Sequence, residues 1–197
     1  MNLSKLLFGI FVLIGGVLPA AADQTKYTTS LLGSSEVPPV STPATGTVLV
    51  TVNSDLLTMR VEAGFSDLLG SVTAAHIHCC VGPGSTIGVA TQLPSFVDFP
   101  IGVTAGSYDH IFDMSLASSY NPDFITTAGG TVSSAFSTLL SGLDAEMAYF
   151  NVHTDLFPGG EIRGQLALVP EPESYALLLA GLGVLTIFAR RAKHKAA

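Results

Sequence analysis

Tryptophan is absent, lysine and arginine are scarce, and the only two cysteines stand side by side as Cys79 and Cys80. Each shortage excludes something. Adjacent cysteines cannot tie distant strands together, so the fold cannot rest on a disulfide framework. In an oxidising compartment three options stay open for them: a strained vicinal disulfide, a bridge to another molecule, or thiolates held by a soft metal. Between Asp23 and Leu168 the cationic side chains other than histidine are Lys26, Arg60 and Arg163, against thirteen Asp and Glu, a net side-chain charge of −10. So acidic a segment repels polyanions, which excludes nucleic acid and anionic lipid headgroups as its partners. The lack of tryptophan removes the usual stacking platform for sugar rings. No glycine-rich phosphate loop, no Gly-x-Ser-x-Gly elbow and no internal repeat occurs. The carboxylates are scattered over strands and turns with no recognisable acid and base pair, so no residue is assigned a catalytic role.

What the chain does have is an apolar segment at each end of its 197 residues. Roughly 145 residues lie between them, the size of one domain with a single core. At the front, Lys5 precedes an apolar run from Leu6 to Leu18, then Pro19-Ala20-Ala21-Ala22. That order predicts a signal peptide over 1–22, cut by signal peptidase between Ala22 and Asp23. The run is too short for a bilayer-spanning helix, which needs about 20 residues. At the back, Pro170-Glu171-Pro172 precedes an uncharged stretch from Tyr175 to Ala189, followed by Arg190, Arg191, Lys193, His194 and Lys195. A helix over 175–189 is marginally long enough to cross a membrane, with the basic end held on the cytoplasmic side.

The segment 23–168 reads as one β domain. Leu57, Met59, Val61, Ala63 and Phe65 alternate with Thr58, Arg60, Glu62 and Gly64, the period of a half-buried strand. Thr47 to Val52 alternates in the same way, and Asn53-Ser54-Asp55 makes the two an antiparallel hairpin. Further strands are predicted at 27–32, 72–78, 87–92, 108–114, 148–153 and 161–168, divided by turns such as Gly82-Pro83-Gly84 and Pro158-Gly159-Gly160. One helix interrupts them: Thr131 can cap it, and Val132, Ala135, Phe136, Leu139, Leu140 and Leu143 recur at helical spacing. The expected fold is all-β, an antiparallel β-sandwich or flattened barrel of seven or eight strands with one inserted helix.

In Ala75-His76-Ile77-His78 the strand period puts both imidazoles on one face. Two such histidines can present nitrogen to a single ion, and His153, in Asn151-Val152-His153-Thr154, would complete a set of three if its strand lies alongside. Nitrogen ligands of this kind take copper or zinc, with Cys79 or Cys80 as an additional soft or redox-active ligand. The alternative is that the histidines bond loop backbone and stay neutral against Tyr149 or hydroxyl groups. His110 shares a face with Tyr108 and Phe112 and is the weakest candidate. Arg163 reads as the partner of Glu161 or a neighbouring Asp, or else as a guide for anions.

Two families are resembled. The order of Pro170-Glu171-Pro172, apolar stretch and basic end resembles the PEP-CTERM sorting signal of Gram-negative bacteria. The resemblance implies recognition by an exosortase, a membrane anchor that lasts until the tail is removed, and delivery to the cell surface or an exopolysaccharide matrix, with polysaccharide or other surface proteins as partners. The segments Ala74-Ala75-His76-Ile77-His78 and Tyr149-Phe150-Asn151-Val152-His153-Thr154, the latter running on through Pro158-Gly159-Gly160-Glu161-Ile162-Arg163-Gly164-Gln165, look like the two signature segments of the CHRD domain. Leu31-Leu32-Gly33-Ser34-Ser35-Glu36-Val37-Pro38-Pro39-Val40 fits its start. What this implies is an extracellular, all-β module that acts by binding or structure and has no established catalytic role. The Cys79-Cys80 pair departs from the glycine more usual after the second histidine. A His-x-His strand with a later histidine is also similar to the copper half of Cu/Zn superoxide dismutases, whose bridging His and Asp cluster has no counterpart here.

Overall fold

The computed structural model describes residues 24–170 and, in the tail, Leu179, Gly181, Leu182 and Leu185, all four helical. The signal peptide, the Ala22–Asp23 junction, Glu171, Pro172 and the rest of the 175–189 stretch lie outside the described residues. Among the described residues no helix is long and apolar enough to cross a membrane.

Eight strands form one antiparallel sheet: β1 (Gln24–Leu32), β2 (Thr45–Asn53), β3 (Thr58–Ser66), β4 (Val72–Cys79), β5 (Gly106–Asp113), β6 (Ala148–Thr154), β7 (Ile162–Gln165) and β8 (Ala167–Leu168). Their order across the sheet is β4-β6-β7-β1-β2-β3-β5, with β8 also paired to β1. The sheet curls until its two edges approach. Val72 at the start of β4 bonds the 102–104 segment that leads into β5, donating to Val103 O at 2.9 Å and accepting from Gly102 N at 2.8 Å. One curled sheet is the flattened-barrel form of the expected fold, not a pair of stacked sheets.

The β2–β3 hairpin has the register that the alternation implies, with Val48, Val50 and Val52 opposite Ala63, Val61 and Met59, all buried. Phe96, Phe99, Tyr108, Phe112 and Phe150 fill the concave side as a contiguous aromatic group. Among the described residues of the domain two α-helices stand where the periodicity shows one. The main helix, α2 (Val132–Asp144), begins with a capping box in which Thr131 and Ser134 bond each other's backbone. It buries Ala135, Leu139 and Leu143, and each leucine is worth about 1.5–3 kcal/mol when fully removed from water. The shorter α1 (Pro122–Thr127) starts at Asn121, whose side chain accepts from Asp123 N, with proline at the first helical position.

Two expected strands differ. Residues 87–92 form only isolated bridges, His78 with Val89 and Thr91 with Tyr120, so this segment lies along the edge of β4 as a loop. The 161–168 strand divides into β7 and β8 around Leu166, which is fully buried.

Candidate metal centre

The strand period gives β4 and β6 two chemically different faces. Ala75, Ile77, Phe150 and Val152 enter the hydrophobic core. On the opposite face His76 stands across from Asn151, and His78 across from Tyr149. Arg163 and Gln165 of β7 continue those two rows, opposite Asn151 and Tyr149. This face is nevertheless shielded from water, because loops from 34–39, 80–95 and 155–160 close over it. His76, His78, Tyr149, Asn151 and Arg163 are all buried, as is Glu36 on the first of these loops.

The three histidines singled out by the sequence meet here. Their ring centroids are 5.2 Å apart for His76 and His153, 5.8 Å for His76 and His78, and 6.1 Å for His78 and His153. One nitrogen of each ring is bonded to a loop carbonyl: His76 Nε2 to Pro94 O at 2.6 Å, His78 Nδ1 to Ile87 O at 2.7 Å, and His153 Nδ1 to Pro158 O at 2.9 Å. A carbonyl only accepts, so each of those nitrogens carries the proton and the opposite nitrogen keeps its lone pair. The opposite nitrogens are His76 Nδ1, His78 Nε2 and His153 Nε2, all buried and without a partner. One ligand nitrogen from each ring lies within 4.8 Å of those of the others. Burial lowers the basicity of His76 and His78 to about 4, and lowers that of His153 as well, so the imidazoles are neutral near pH 7. Three neutral, tautomerically fixed imidazoles with converging lone pairs are what a transition metal ion requires of nitrogen ligands.

Around this cluster the residues form a stack. His78 lies flat on Tyr149, with centroids 4.6 Å apart and planes within 5°. The Arg163 guanidinium covers the other side of the phenol ring at 3.3 Å. Arg163 does not pair with Glu161: its Nη2 donates to Ser85 O at 2.6 Å, which ties the covering loop to β7. Glu161 is itself fully buried and serves the backbone, accepting from Leu69 N, Gly70 N, Thr42 Oγ1 and Thr154 Oγ1. Burial also pushes the Glu36 carboxyl up to about 7, an effect partly offset by Arg163 and by the Asn151 amide.

Cys79 and Cys80 form a disulfide with each other, packed under α2 against Gly142 and directed away from the histidine face. His110 lies on β5, at the far end of the strand order, and takes no part in the cluster. Pro170 follows β8 closely, since Val169 N still donates to Lys26 O of β1 at 2.8 Å. Sequence reasoning missed Asn151 and Glu36 as members of the site. A signal existed for Asn151, which precedes His153 by one strand period and so shares its face.

Residues 27–166 match the CHRD domain. The chain belongs to the CHRD family. Directly after this domain, residues 168–193 match the PEP-CTERM protein-sorting motif. No curated protein and no solved structure gives a significant match. A CHRD domain followed by a PEP-CTERM signal is the organisation of an exported surface protein, anchored transiently in the membrane and processed by an exosortase.

Proposed function

We propose that this CHRD protein is a surface-displayed metal-binding module, which holds a copper or zinc ion on His76, His78 and His153 and acts by binding rather than catalysis. The observation that carries the reading is the tautomer pattern: three loop carbonyls each fix one ring nitrogen, and the three freed nitrogens are buried without partners on rings whose ligand atoms come within 4.8 Å of one another. Histidines that served only to fix strand ends would have no reason to leave their remaining nitrogens unpartnered and convergent, because each buried orphan costs about 1–3 kcal/mol. The disulfide removes Cys79 and Cys80 from the ligand set. In the same reading the chain is divided as 1–22 signal peptide, 23–168 CHRD domain and 169–197 sorting tail. Signal peptidase cuts between Ala22 and Asp23, the exosortase acts at Pro170-Glu171-Pro172, and the product is released to the cell surface or an exopolysaccharide matrix.

The test is metal content by mass spectrometry on the exported protein, with and without loading by zinc or copper, beside a His76→Ala/His78→Ala variant. A stoichiometric ion that disappears in the variant supports the reading. A protein that takes up neither ion after loading overturns it and leaves the histidines as structural posts.

A further inference from the structure

The lone pairs at the cluster are more numerous than the histidines supply. Asn151 stands opposite His76 on the neighbouring strand and is 2 % exposed, and its Oδ1 is buried with no hydrogen-bond partner. The amide has a fixed sense. Its Nδ2 lies on the side of Glu36 and Gly160, close enough that a Cβ built on Gly160 would meet both the Asn151 nitrogen, at 2.7 Å, and the Glu36 carboxylate. Gly160 has φ +124, a conformation that side-chain-bearing residues rarely adopt, so the chain is shaped here to let these two groups in. With Nδ2 turned to the acidic side, Oδ1 is left on the other side of the amide, on the strand beside His76 and diagonal to His78. His78 Nε2 and Asn151 Oδ1 are thus two buried acceptors on one face of the sheet, neither with a donor, because the proton of His78 is committed to Ile87 O. Buried lone pairs gathered on one face without donors are costly unless a cation or a donor lies among them.

We infer that Asn151 Oδ1 is the fourth ligand of the metal ion, closing a shell of three imidazoles and one amide oxygen, with Glu36 as the positioning residue that holds the amide in that sense. The inference rests on the metal-binding reading above and decides what kind of site it is. Four protein ligands make a closed shell, as in structural and storage sites; a site for chemistry keeps a position open for water or substrate. The CHRD module thus takes up and retains an ion and gives small molecules no place on it.

Cobalt(II) in place of the native ion makes this visible, because its visible absorption reports coordination number and exchangeable ligands. The full chain loaded with cobalt(II) is titrated with azide. The expected result is a tetrahedral spectrum that azide leaves unchanged in the natural protein and in Asn151→Asp, which keeps the oxygen. In Asn151→Ala azide shifts the spectrum, and the metal affinity falls on the order of 10–100-fold. Glu36→Gln, which keeps the shape but lowers the pull on Nδ2, falls between the two. An azide-sensitive natural protein overturns the inference by itself, whether or not any variant folds. Failure to bind cobalt at all instead removes the three-histidine reading, so the two outcomes are separable.

Discussion

The Glu161 carboxylate accepts a 2.9 Å hydrogen bond from the Thr154 hydroxyl at a point where neither residue reaches solvent. The same carboxylate accepts from Leu69 N at 2.6 Å, Gly70 N at 3.1 Å and Thr42 Oγ1 at 2.7 Å. Two loops distant in sequence and the end of β6 are thereby pinned to one side chain. Glu161→Ala strands two backbone N–H groups and two hydroxyls, and the expected loss is about 3–5 kcal/mol. Glu161→Gln, which keeps one acceptor, should lose less. Urea midpoints of the two variants check this; a shift within error for Glu161→Ala would mean that water replaces the carboxylate at no cost.

The metal-free protein should have a stability profile with two opposed slopes. His76 and His78 titrate at about 4 when folded, against 6.5 when exposed, because burial penalises the cation. As the pH falls below 6.5 the unfolded chain takes up protons first, so stability is complete above 6.5 and is lost on the way down to 4. Glu36 runs the other way, at about 7 when folded against 4.5 when exposed, so its contribution is complete below 4.5 and is lost as the pH rises through 7. Each unit of difference is worth about 1.4 kcal/mol, and two imidazoles outweigh one carboxyl. The urea midpoint should therefore climb from pH 4 to 6.5, more steeply in Glu36→Gln, and a flat profile over that interval would contradict the burial assigned to the histidines.

Metal and stability are linked. An ion held only by the folded chain at a hundred times its dissociation constant adds about 2.7 kcal/mol. Zinc or copper should raise the melting temperature of the natural protein and of His110→Ala, whose ring lies outside the cluster. The same ions should leave His78→Ala where it was. Equal shifts in all three proteins would assign the effect to nonspecific surface binding.

Gly142 of α2 touches the disulfide so closely that a Cβ would run into Cys79 Sγ and come to 2.6 Å from Cys80 Sγ. Helix propensity favours alanine at such a position by about 1 kcal/mol. The collision should outweigh it, since overpacking typically costs about 1–3 kcal/mol and neither sulfur is the free end of a flexible side chain. Gly142→Ala is expected to lower the melting temperature, and a rise would show that the helix can move off β4.

Much of this was legible in the sequence. Period-two alternation marked β2 and β3, because their side chains alternate between the core and the outer face, and the His-x-His spacing on β4 forced both rings onto one face. Helix α2 was readable from Thr131 to Leu143 for the same kind of reason. The 87–92 segment misled because it alternates like a strand while bonding only the rim of β4 through a few carbonyls. Helix α1 was missed because six residues are too few for a period, although Asn121-Pro122 is a starting signal. The role of Glu36 had no local signal at all. It depends on a loop folding back across more than a hundred residues to meet Asn151, and on Gly160 leaving room for both. Arg163 reads in the sequence as the partner of Glu161 or a neighbouring Asp, but Glu161 stands just before β7 with its carboxylate taken by Leu69 N, Gly70 N, Thr42 and Thr154, while Arg163 bonds Ser85 O, contacts that no local spacing announces.

Strand β8 pairs with β1 over only Tyr27 with Leu168 and Thr28 with Ala167, and one more bond joins Val169 to Lys26. A load applied to the tail meets these contacts first and takes them in turn, as a peel, until it reaches the buried side chain of Leu166. The level of the histidine cluster, where Leu32 pairs with Arg163, is five residues farther along β1, roughly 17 Å away. The junction should thus act as a mechanical fuse: tension between an anchored tail and the domain is spent on a short strand remote from the histidine cluster, which stays unstrained. Pulling a single molecule by its tail should record this as a small early extension, well separated from the cooperative loss of the sheet.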